Sequence, residues 1–183
     1  CAVVVHIKRC WRKGKRSHPS ISAGGSANTD AKALGELRFA LGGATATLAS
    51  GGFSLASGGM IRNLDAAADA TALGIRSVRY VTFPLGDSSG TQLATGCGYG
   101  EIADKVNGPN APHISEGIDA QANNEFQCLS QTGNGGKDTI DENSAIIHAV
   151  GLTPLDVALI AERGASVVWS PRSNISLYGE TAP

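Results

Sequence analysis

The sequence lacks the charge imbalance and the long apolar runs that mark several large classes of protein. Its 183 residues carry a net charge of −1, so nucleic acid is not expected as a partner, because phosphate binding needs a basic surface. Apolar runs are too short for a membrane span or a signal peptide. With 42% hydrophobic and 17% charged residues, the chain is typical of an ordinary globular domain without a membrane partner.

Cysteine is also sparse, and its spacing is uninformative. The four cysteines, Cys1, Cys10, Cys97 and Cys128, are scattered along the chain and form no CxxC pair. Scattered cysteines in a chain without a signal peptide are typical of free thiols. We therefore predict free thiols and a reducing, cytoplasmic location.

The N-terminal segment, residues 1–25, has no clear helix or strand pattern. It contains a basic run from Lys8 to Arg16, which we interpret as a solvated segment rather than a phosphate-binding site. Residues 26–183 are predicted to form one folded domain. Because the chain begins with Cys1 and stops at Pro183 just after a motif, we expect it to be cut at both ends.

Helices and strands alternate from residue 29 onward, often with glycine at their boundaries. Apolar spacing and cap residues predict helices at 29–41, 64–73, 99–106, 118–131 and 154–163. Strands are predicted at 44–49, 76–83, 111–115, 145–149 and 166–170. The last helix has the strongest signals, since Thr153 can cap it, Pro154 suits its first position and Asp156 completes a capping-box spacing.

The alternation predicts an α/β fold with about five parallel strands. Three loops that follow strands, 84–87, 113–117 and 170–174, hold most of the chemically useful side chains. In a parallel sheet such loops gather at one edge, where barrels and open sheets both place catalysis. The sequence therefore predicts a site at the carboxyl ends of the strands.

Two histidines and a glutamate are the candidate catalytic residues. His113 and Glu116 stand at the end of a short strand, and Gly117 allows the chain to turn there. A neutral imidazole can bind zinc, and a carboxylate beside a metal-bound water can act as general base and then as acid. His148 ends the apolar run 145–147, where it suits a metal ligand or a proton shuttle. Two structural interpretations stay open: a surface histidine beside a helix-capping glutamate, and a buried His148 bonded to backbone.

The loop at 170–174 is the candidate substrate-binding wall. Arg172, Ser173 and Asn174 offer a guanidinium, a hydroxyl and an amide that can orient a substrate. Turn formation alone would also explain serine, proline and asparagine at these positions.

The segment Gly86–Gly90 offers an alternative nucleophile. It fits the pattern G-x-S-x-G with Ser88 at its centre. A nucleophile elbow requires a helix directly after the turn, and the segment 91–98 is a poor helix. A serine hydrolase is therefore kept only as an alternative.

Taken together, three motifs resemble those of the amidohydrolase superfamily. They are HISEGID at 113–119, IHAVG at 147–151 and WSPRSNISLYG at 169–179, and they occur in the family's order. Within the superfamily they are most similar to the branch of metal-dependent hydrolases that includes chlorohydrolases and cytosine, guanine and adenosine-type deaminases. The resemblance extends from about residue 31 to the end of the chain.

The resemblance implies a (β/α)8 barrel with a divalent metal at the carboxyl ends of its strands. Zinc is expected, with iron or manganese as alternatives. His113 would be a metal ligand, and Glu116 would contact substrate and shuttle protons. His148 would bind metal or polarise the substrate, and Asn174 with its neighbours would line the pocket.

The sequence also departs from the family. The His-x-His motif of the first strand is missing, His6 and His18 stand alone, and the aspartate of the eighth strand has no counterpart. A catalytic zinc normally takes three protein ligands, and a closed barrel typically needs about 250 residues. We therefore predict a partial barrel that lacks the first and last strands.

The predicted protein is a fragment of a metal-dependent hydrolase. It would hydrolyse a non-peptide carbon–nitrogen bond in a small cyclic or amide substrate, as deaminases and amidases do, and the isolated chain would be inactive. The alternatives are a non-catalytic, truncated or degenerate barrel fragment and a serine hydrolase that uses Ser88. Self-association into a homo-oligomer is left open.

Overall fold

The computed structural model of the chain describes residues 28–48 and 59–183. These residues fall into two compact units, the smaller ending at Tyr80 and the larger beginning at Val81. Helices and parallel strands occur in both, so the predicted α/β class is confirmed. Among the residues described, none of the helices has the length and hydrophobicity that crossing a bilayer requires. The basic segment 1–25 lies outside the described residues.

The smaller unit contains two helices and a pair of very short parallel strands. Its elements are α1 (Thr29–Leu41), β1 (Ala46–Thr47), β2 (Arg62–Asn63) and α2 (Ala67–Ala72). The first helix has the predicted bounds, because the Asn28 side chain accepts a hydrogen bond from the Ala31 N–H and caps it. Three leucines of this helix, Leu34, Leu37 and Leu41, are exposed.

Two predictions for this unit needed correction, and one strand was missed. The strand predicted at 44–49 is reduced to β1 within the described residues, and position 49 lies outside them. The short strand β2 was not predicted. The second helix begins at Ala67 instead of Leu64, because Leu64–Ala66 form a turn in which the Ala66 N–H donates to the Asn63 carbonyl.

The larger unit is built on a four-stranded sheet. Its elements are β3 (Arg79–Val81), β4 (Asn110–Ile114), α3 (Ala120–Ser130), a 3₁₀ turn (Gly133–Gly135), β5 (Ala145–His148), α4 (Pro154–Glu162), β6 (Ser166–Val168) and α5 (Pro171–Tyr178). The strand order is β3–β4–β5–β6, and β5 pairs in parallel with both β4 and β6. The boundary between the units falls inside β3. The carboxyl ends of β4, β5 and β6 therefore lie at one edge.

The core of this unit lies between the sheet and its helices. Phe126 and Leu129 of α3 are buried beside Ile114 of β4 and Ile146 of β5. Burying a side chain of this size contributes about 1.5–3 kcal/mol. Ile118, the first residue of the predicted helix 118–131, is exposed and lies outside α3, because Asp119 caps the helix one residue later. The core holds β4 and β5 side by side up to their last residues.

The signals predicted for α4 are all present. The Thr153 hydroxyl accepts from the Asp156 N–H, and the Asp156 carboxylate accepts from the Thr153 N–H, which completes the capping box. The same carboxylate accepts from the side chains of Asn123 and Gln127 on α3. The cap therefore also connects α4 to α3.

Two predictions for the larger unit were wrong. The segment 99–106 is not a helix, because Ile102 packs into the core and the Ala103 N–H donates to the Pro84 carbonyl at 2.7 Å. The loop predicted at 170–174 instead opens α5, with Pro171 in its first turn. Proline suits that position, because its missing N–H would have no partner inside the helix.

The prediction of four free thiols was also wrong. Cys97 and Cys128 form a disulfide, with the two sulfurs 2.05 Å apart. Cys128 belongs to α3, and Cys97 lies in the irregular segment between β3 and β4. The bond therefore ties this segment to a core helix. Cys1 and Cys10 lie outside the described residues.

Candidate active site

Neighbouring parallel strands end side by side at this site, in an unusual backbone conformation. In the register of the sheet, Ile114 of β4 faces His148 of β5. Ser115, His148 and Ala149 all have positive φ, at 56°, 78° and 53°. Such a conformation costs about 1–3 kcal/mol for a residue other than glycine, and it concentrates at functional sites.

The strained backbone is held by a dense set of hydrogen bonds. The Ser115 carbonyl accepts from the N–H groups of Gly117, Val150 and Gly151, and the Ser115 N–H donates to the Glu125 carboxylate at 3.0 Å. A side chain at Gly151 would meet the Gly117 carbonyl at 2.8 Å. Glycine at 151 is therefore required for the two strand exits to approach so closely.

The two candidate histidines lie together at these strand exits. The ring centroids of His113 and His148 are 4.9 Å apart, with the ring planes tilted by 52°. Nδ1 of His113 lies 3.2 Å from the Val81 carbonyl oxygen. A carbonyl can only accept, so Nδ1 carries the proton and, in the neutral ring, Nε2 carries the lone pair.

Asn174 bonds to both the backbone carbonyl and the ring of His148. The Asn174 amide nitrogen donates to the His148 carbonyl at 3.3 Å, which orients the amide so that its oxygen lies 3.4 Å from Nδ1 of His148. That oxygen accepts a hydrogen bond from the Nδ1–H, so Nε2 again carries the lone pair of the neutral ring. Both imidazoles thus have the tautomer that metal-binding histidines adopt when a neighbouring oxygen orients them.

Glu116 lies between His148 and a tyrosine. Its Oε1 is 3.7 Å from Nε2 of His148, and both side chains are largely buried. With Nε2 unprotonated, two acceptors face one another, an arrangement that a proton or a metal cation stabilises. The Tyr178 hydroxyl donates to the same Oε1 at 2.5 Å. Burial, together with the adjacent Glu116 carboxylate, raises the pKa of Tyr178 well above its ordinary value, so the phenol stays protonated.

A narrow pocket opens beside this cluster. His113 and Glu116 line it together with Glu125 and residues of the segment after β3, namely Thr82, Pro84, Leu85 and Asp87. Its free space admits about one water-sized group. The pocket therefore joins the histidine and glutamate predicted at 113–117 to the predicted loop 84–87.

The structure does not bring every predicted residue to this pocket. Arg172 and Ser173 are exposed near the start of α5. Asn174 is wholly buried against His148. Ser88 is exposed in a turn, and within the described chain no helix lies between α2 and α3, so the strand–turn–helix geometry of a nucleophile elbow is not formed.

Two of the candidate residues are of the type that binds zinc. His113 and His148 provide two oriented imidazoles, which are preferred zinc ligands. Within residues 28–48 and 59–183, no three His, Cys, Asp or Glu side chains are placed so that they could hold a metal ion together. His6 and His18 lie outside these ranges. The described residues thus offer two imidazoles in the tautomer that binds a metal, without a third ligand among them.

Two residues of the site were not foreseen from the sequence. Tyr178 lies four residues after Asn174 on the same helix, and Glu125 supports Ser115 from α3. The spacing of Asn174 and Tyr178 would have placed both on one helical face, had the segment 170–178 been read as a helix. No sequence signal indicates the contact of Glu125.

Comparison with known proteins identifies no relative of this chain. The chain matches no protein-family model, no curated protein and no solved structure. The resemblance to amidohydrolases therefore remains a prediction carried by the three motifs.

Proposed function

We propose that this chain carries part of the active site of a metal-dependent hydrolase of the amidohydrolase type. The reaction would be hydrolysis of a non-peptide carbon–nitrogen bond in a small cyclic or amide substrate. One observation carries the proposal: His148 Nε2 and Glu116 Oε1 face one another at 3.7 Å, beside a second oriented imidazole, His113. Such a group of acceptors is suited to a cation and to a proton in transfer.

The position of the cluster supports this proposal. Catalytic groups of barrels and open α/β sheets lie at the carboxyl ends of parallel strands, and His148 ends β5 while Glu116 follows β4. Non-glycine residues with positive φ at both exits are a further feature of functional sites. We propose that the sheet β3–β4–β5–β6 is part of a (β/α)8 barrel.

Glu116 would be the proton carrier of the reaction. Its carboxylate can take a proton from an attacking water and return it to the leaving nitrogen, which makes that nitrogen a better leaving group. Because the pocket beside it admits about one water-sized group, the water can be held within reach of the carboxylate. His148, in contact with the same carboxylate, would orient it or polarise the substrate.

His113 would hold the metal through its Nε2 atom, and His148 would be a second Nε2 ligand in the alternative in which it does not polarise the substrate. A bound zinc would lower the pKa of a coordinated water and polarise the substrate. The contacts of Nδ1 with the Val81 carbonyl and with Asn174 keep both rings in the tautomer that binding requires. We propose that Arg172 and Ser173, which are exposed at the start of α5, contact the outer part of the substrate.

The Cys97–Cys128 disulfide bears on the cellular location that we predicted. A cytoplasmic location was predicted from free thiols, and the Cys97–Cys128 disulfide removes that argument. Disulfides persist chiefly in oxidising compartments, so the bond counts against the cytoplasm.

Because the chain alone is expected to be inactive, the proposal is tested on a protein in which it forms part of a complete barrel. Ammonia or amine release is measured from a panel of cyclic amidines and small amides, with zinc added. The variant Glu116→Gln keeps the shape of the side chain and removes its ability to carry a proton. We expect it to reduce the rate by about 100-fold or more, in line with the usual contribution of a general base. The control is Glu162→Gln, at an exposed position at the end of α4.

Two results would contradict the proposed function. One is the absence of zinc-dependent release from the whole panel, which would favour the non-catalytic alternative. The other is equal activity of Glu116→Gln and Glu162→Gln, which would remove Glu116 from the reaction. A circular dichroism spectrum unchanged in both variants would exclude unfolding as the cause of a lost rate.

A further inference from the structure

One face of helix α5 contacts both Glu116 and His148. Asn174 and Tyr178 are four residues apart, so their side chains lie one above the other on the helix. Both are buried. Asn174 bonds to His148, and Tyr178 bonds to Glu116. A single short helix thus contacts the two groups that face one another at the ends of β4 and β5.

We infer that Tyr178 is a positioning residue that fixes the carboxylate of Glu116, while Asn174 fixes the imidazole of His148 from the same helix. This inference rests on the proposed function, because a positioning role has meaning only if Glu116 carries protons. Tyr178 acts through Glu116 and has no assigned contact with a substrate.

The contact between Tyr178 and Glu116 has the features of a strong hydrogen bond. The hydroxyl oxygen lies 2.5 Å from Oε1, and bonds from a hydroxyl to an ionised carboxylate are both short and strong. Tyr178 is only 7% exposed, so water competes little for the carboxylate. An ordinary phenol ionises only at about pH 10, so the Tyr178 hydroxyl is a donor throughout the neutral range.

The local sequence explains how the phenol is aimed. Pro171 starts the helix, and the Asn174 N–H donates to the Ser170 carbonyl in its first turn. Gly179 ends the helix directly after Tyr178, with a left-handed φ of 75°. The Tyr178 ring meets the His148 ring edge-on, with centroids 6.1 Å apart and an interplanar angle of 84°. The helix end and the edge-on contact therefore leave the hydroxyl directed at Glu116.

In the proposed reaction, the Glu116 carboxylate would act with one of its oxygens, Oε1, held in place. Oε1 receives the Tyr178 hydroxyl and faces His148, so the carboxylate does not rotate freely. Holding a catalytic group in its reactive orientation lowers the barrier of the chemical step more than it changes substrate affinity. The contribution of Tyr178 should accordingly appear in kcat and leave KM nearly unchanged.

The contact itself is tested by nuclear magnetic resonance on protein labelled with ¹³C at glutamate side-chain carboxyls. The Glu116 signal is assigned by its disappearance in Glu116→Gln. We expect Tyr178→Phe, which removes only the hydroxyl, to move this signal. Tyr99→Phe is the matched control, since Tyr99 is also partly buried but its hydroxyl accepts from the Leu93 N–H. An unmoved Glu116 signal in Tyr178→Phe would overturn the inference.

A second measurement needs no variant of Tyr178 and therefore does not depend on that variant folding. In the wild-type protein, exchange from H₂O to D₂O replaces the hydroxyl proton with deuterium. A proton shared with a carboxylate produces an isotope shift of the carboxyl ¹³C signal. A resolved shift for Glu116 supports the inference, and its absence contradicts it.

Kinetics separate this inference from the proposed function. On a substrate that the complete wild-type barrel hydrolyses, we expect Tyr178→Phe to lower kcat by about 10–100-fold while KM changes by less than about two-fold. An unchanged kcat would overturn the positioning role and leave the proposed function standing. If the complete wild-type barrel hydrolyses nothing in the presence of zinc, the proposed function fails and the positioning role fails with it.

Discussion

Glu116 and His148 meet across two neighbouring strand exits, with Oε1 of the carboxylate 3.7 Å from Nε2 of the imidazole. Each is held by a residue of α5: the Tyr178 hydroxyl donates to Glu116, and the Asn174 amide bonds to His148. Since both partners are anchored from outside the sheet, their distance is set by the fold. Disturbing the anchors should therefore have measurable effects on stability as well as on activity.

Replacing Asn174 by alanine should destabilise the protein. The change removes both bonds to His148 and leaves its carbonyl without the amide partner in a buried site. Leaving a buried acceptor unpaired costs about 1–3 kcal/mol, and we expect a loss of that size in the free energy of unfolding measured in urea. The control Ser176→Ala, at an exposed position on the same helix, should change it by less than about 0.5 kcal/mol. Equal effects of the two variants would contradict the anchoring role of Asn174.

Replacing Gly151 by alanine should separate the two strand exits. The added Cβ would lie 2.8 Å from the Gly117 carbonyl oxygen and 3.0 Å from the Ala122 Cβ, so the backbone must shift. Overpacking of this kind costs about 1–3 kcal/mol. Gly100→Ala is the matched control, because nothing lies within 4 Å of a Cβ there. If thermal unfolding shows Gly151→Ala to be as stable as Gly100→Ala, the close approach described for the strand exits is wrong.

The β–α pattern from residue 110 to residue 168 could be predicted from the sequence because its signals are local. Thr153, Pro154 and Asp156 define the start of α4 through contacts within one turn of helix. The segment 99–106 could not be predicted in the same way. Its conformation depends on the burial of Ile102 and on the bond from Ala103 to Pro84, which are contacts with distant parts of the chain.

The candidate site shows the same division between local and distant contacts. His113, Glu116 and His148 were identified because they stand at strand ends, a feature visible in the sequence. Tyr178 was missed because its partner, Glu116, lies 62 residues away and because the sequence predicts a loop, not a helix, at 170–174. The pairing of Cys97 with Cys128 was missed because connectivity cannot be deduced from scattered cysteines.

Removal of the disulfide should lower stability substantially. Cys97 and Cys128 are 31 residues apart, and in the chain-entropy model a loop of this length corresponds to about 3–4 kcal/mol. We expect a loss of that order in the double variant Cys97→Ala/Cys128→Ala, measured by urea unfolding without reductant. Peptide mapping without reduction should recover the two cysteines in one cross-linked peptide. Their recovery as separately alkylated peptides would contradict the bond.

Ionisation of Tyr99 should lower the free energy of unfolding at alkaline pH. Burial raises the pKa of Tyr99 above its ordinary value of about 10. The phenol ionises more readily in the unfolded chain, so its contribution is fully present below pH 10 and is lost as the pH rises through the folded-state pKa. We expect Tyr99→Phe to reduce the fall in unfolding free energy above pH 10. A wild-type phenol absorbance titration identical in buffer and in urea would contradict this expectation.

The most direct test of the account is whether the His113 and His148 imidazoles bind zinc together. Nitrogen-15 spectra of the histidine rings, recorded during a zinc titration of the intact chain, report each ring nitrogen separately. The account predicts that the Nε2 signals of His113 and His148 move together as zinc is added, and that zinc binding is lost in His113→Ala/His148→Ala. Zinc that leaves both Nε2 signals in place would contradict it.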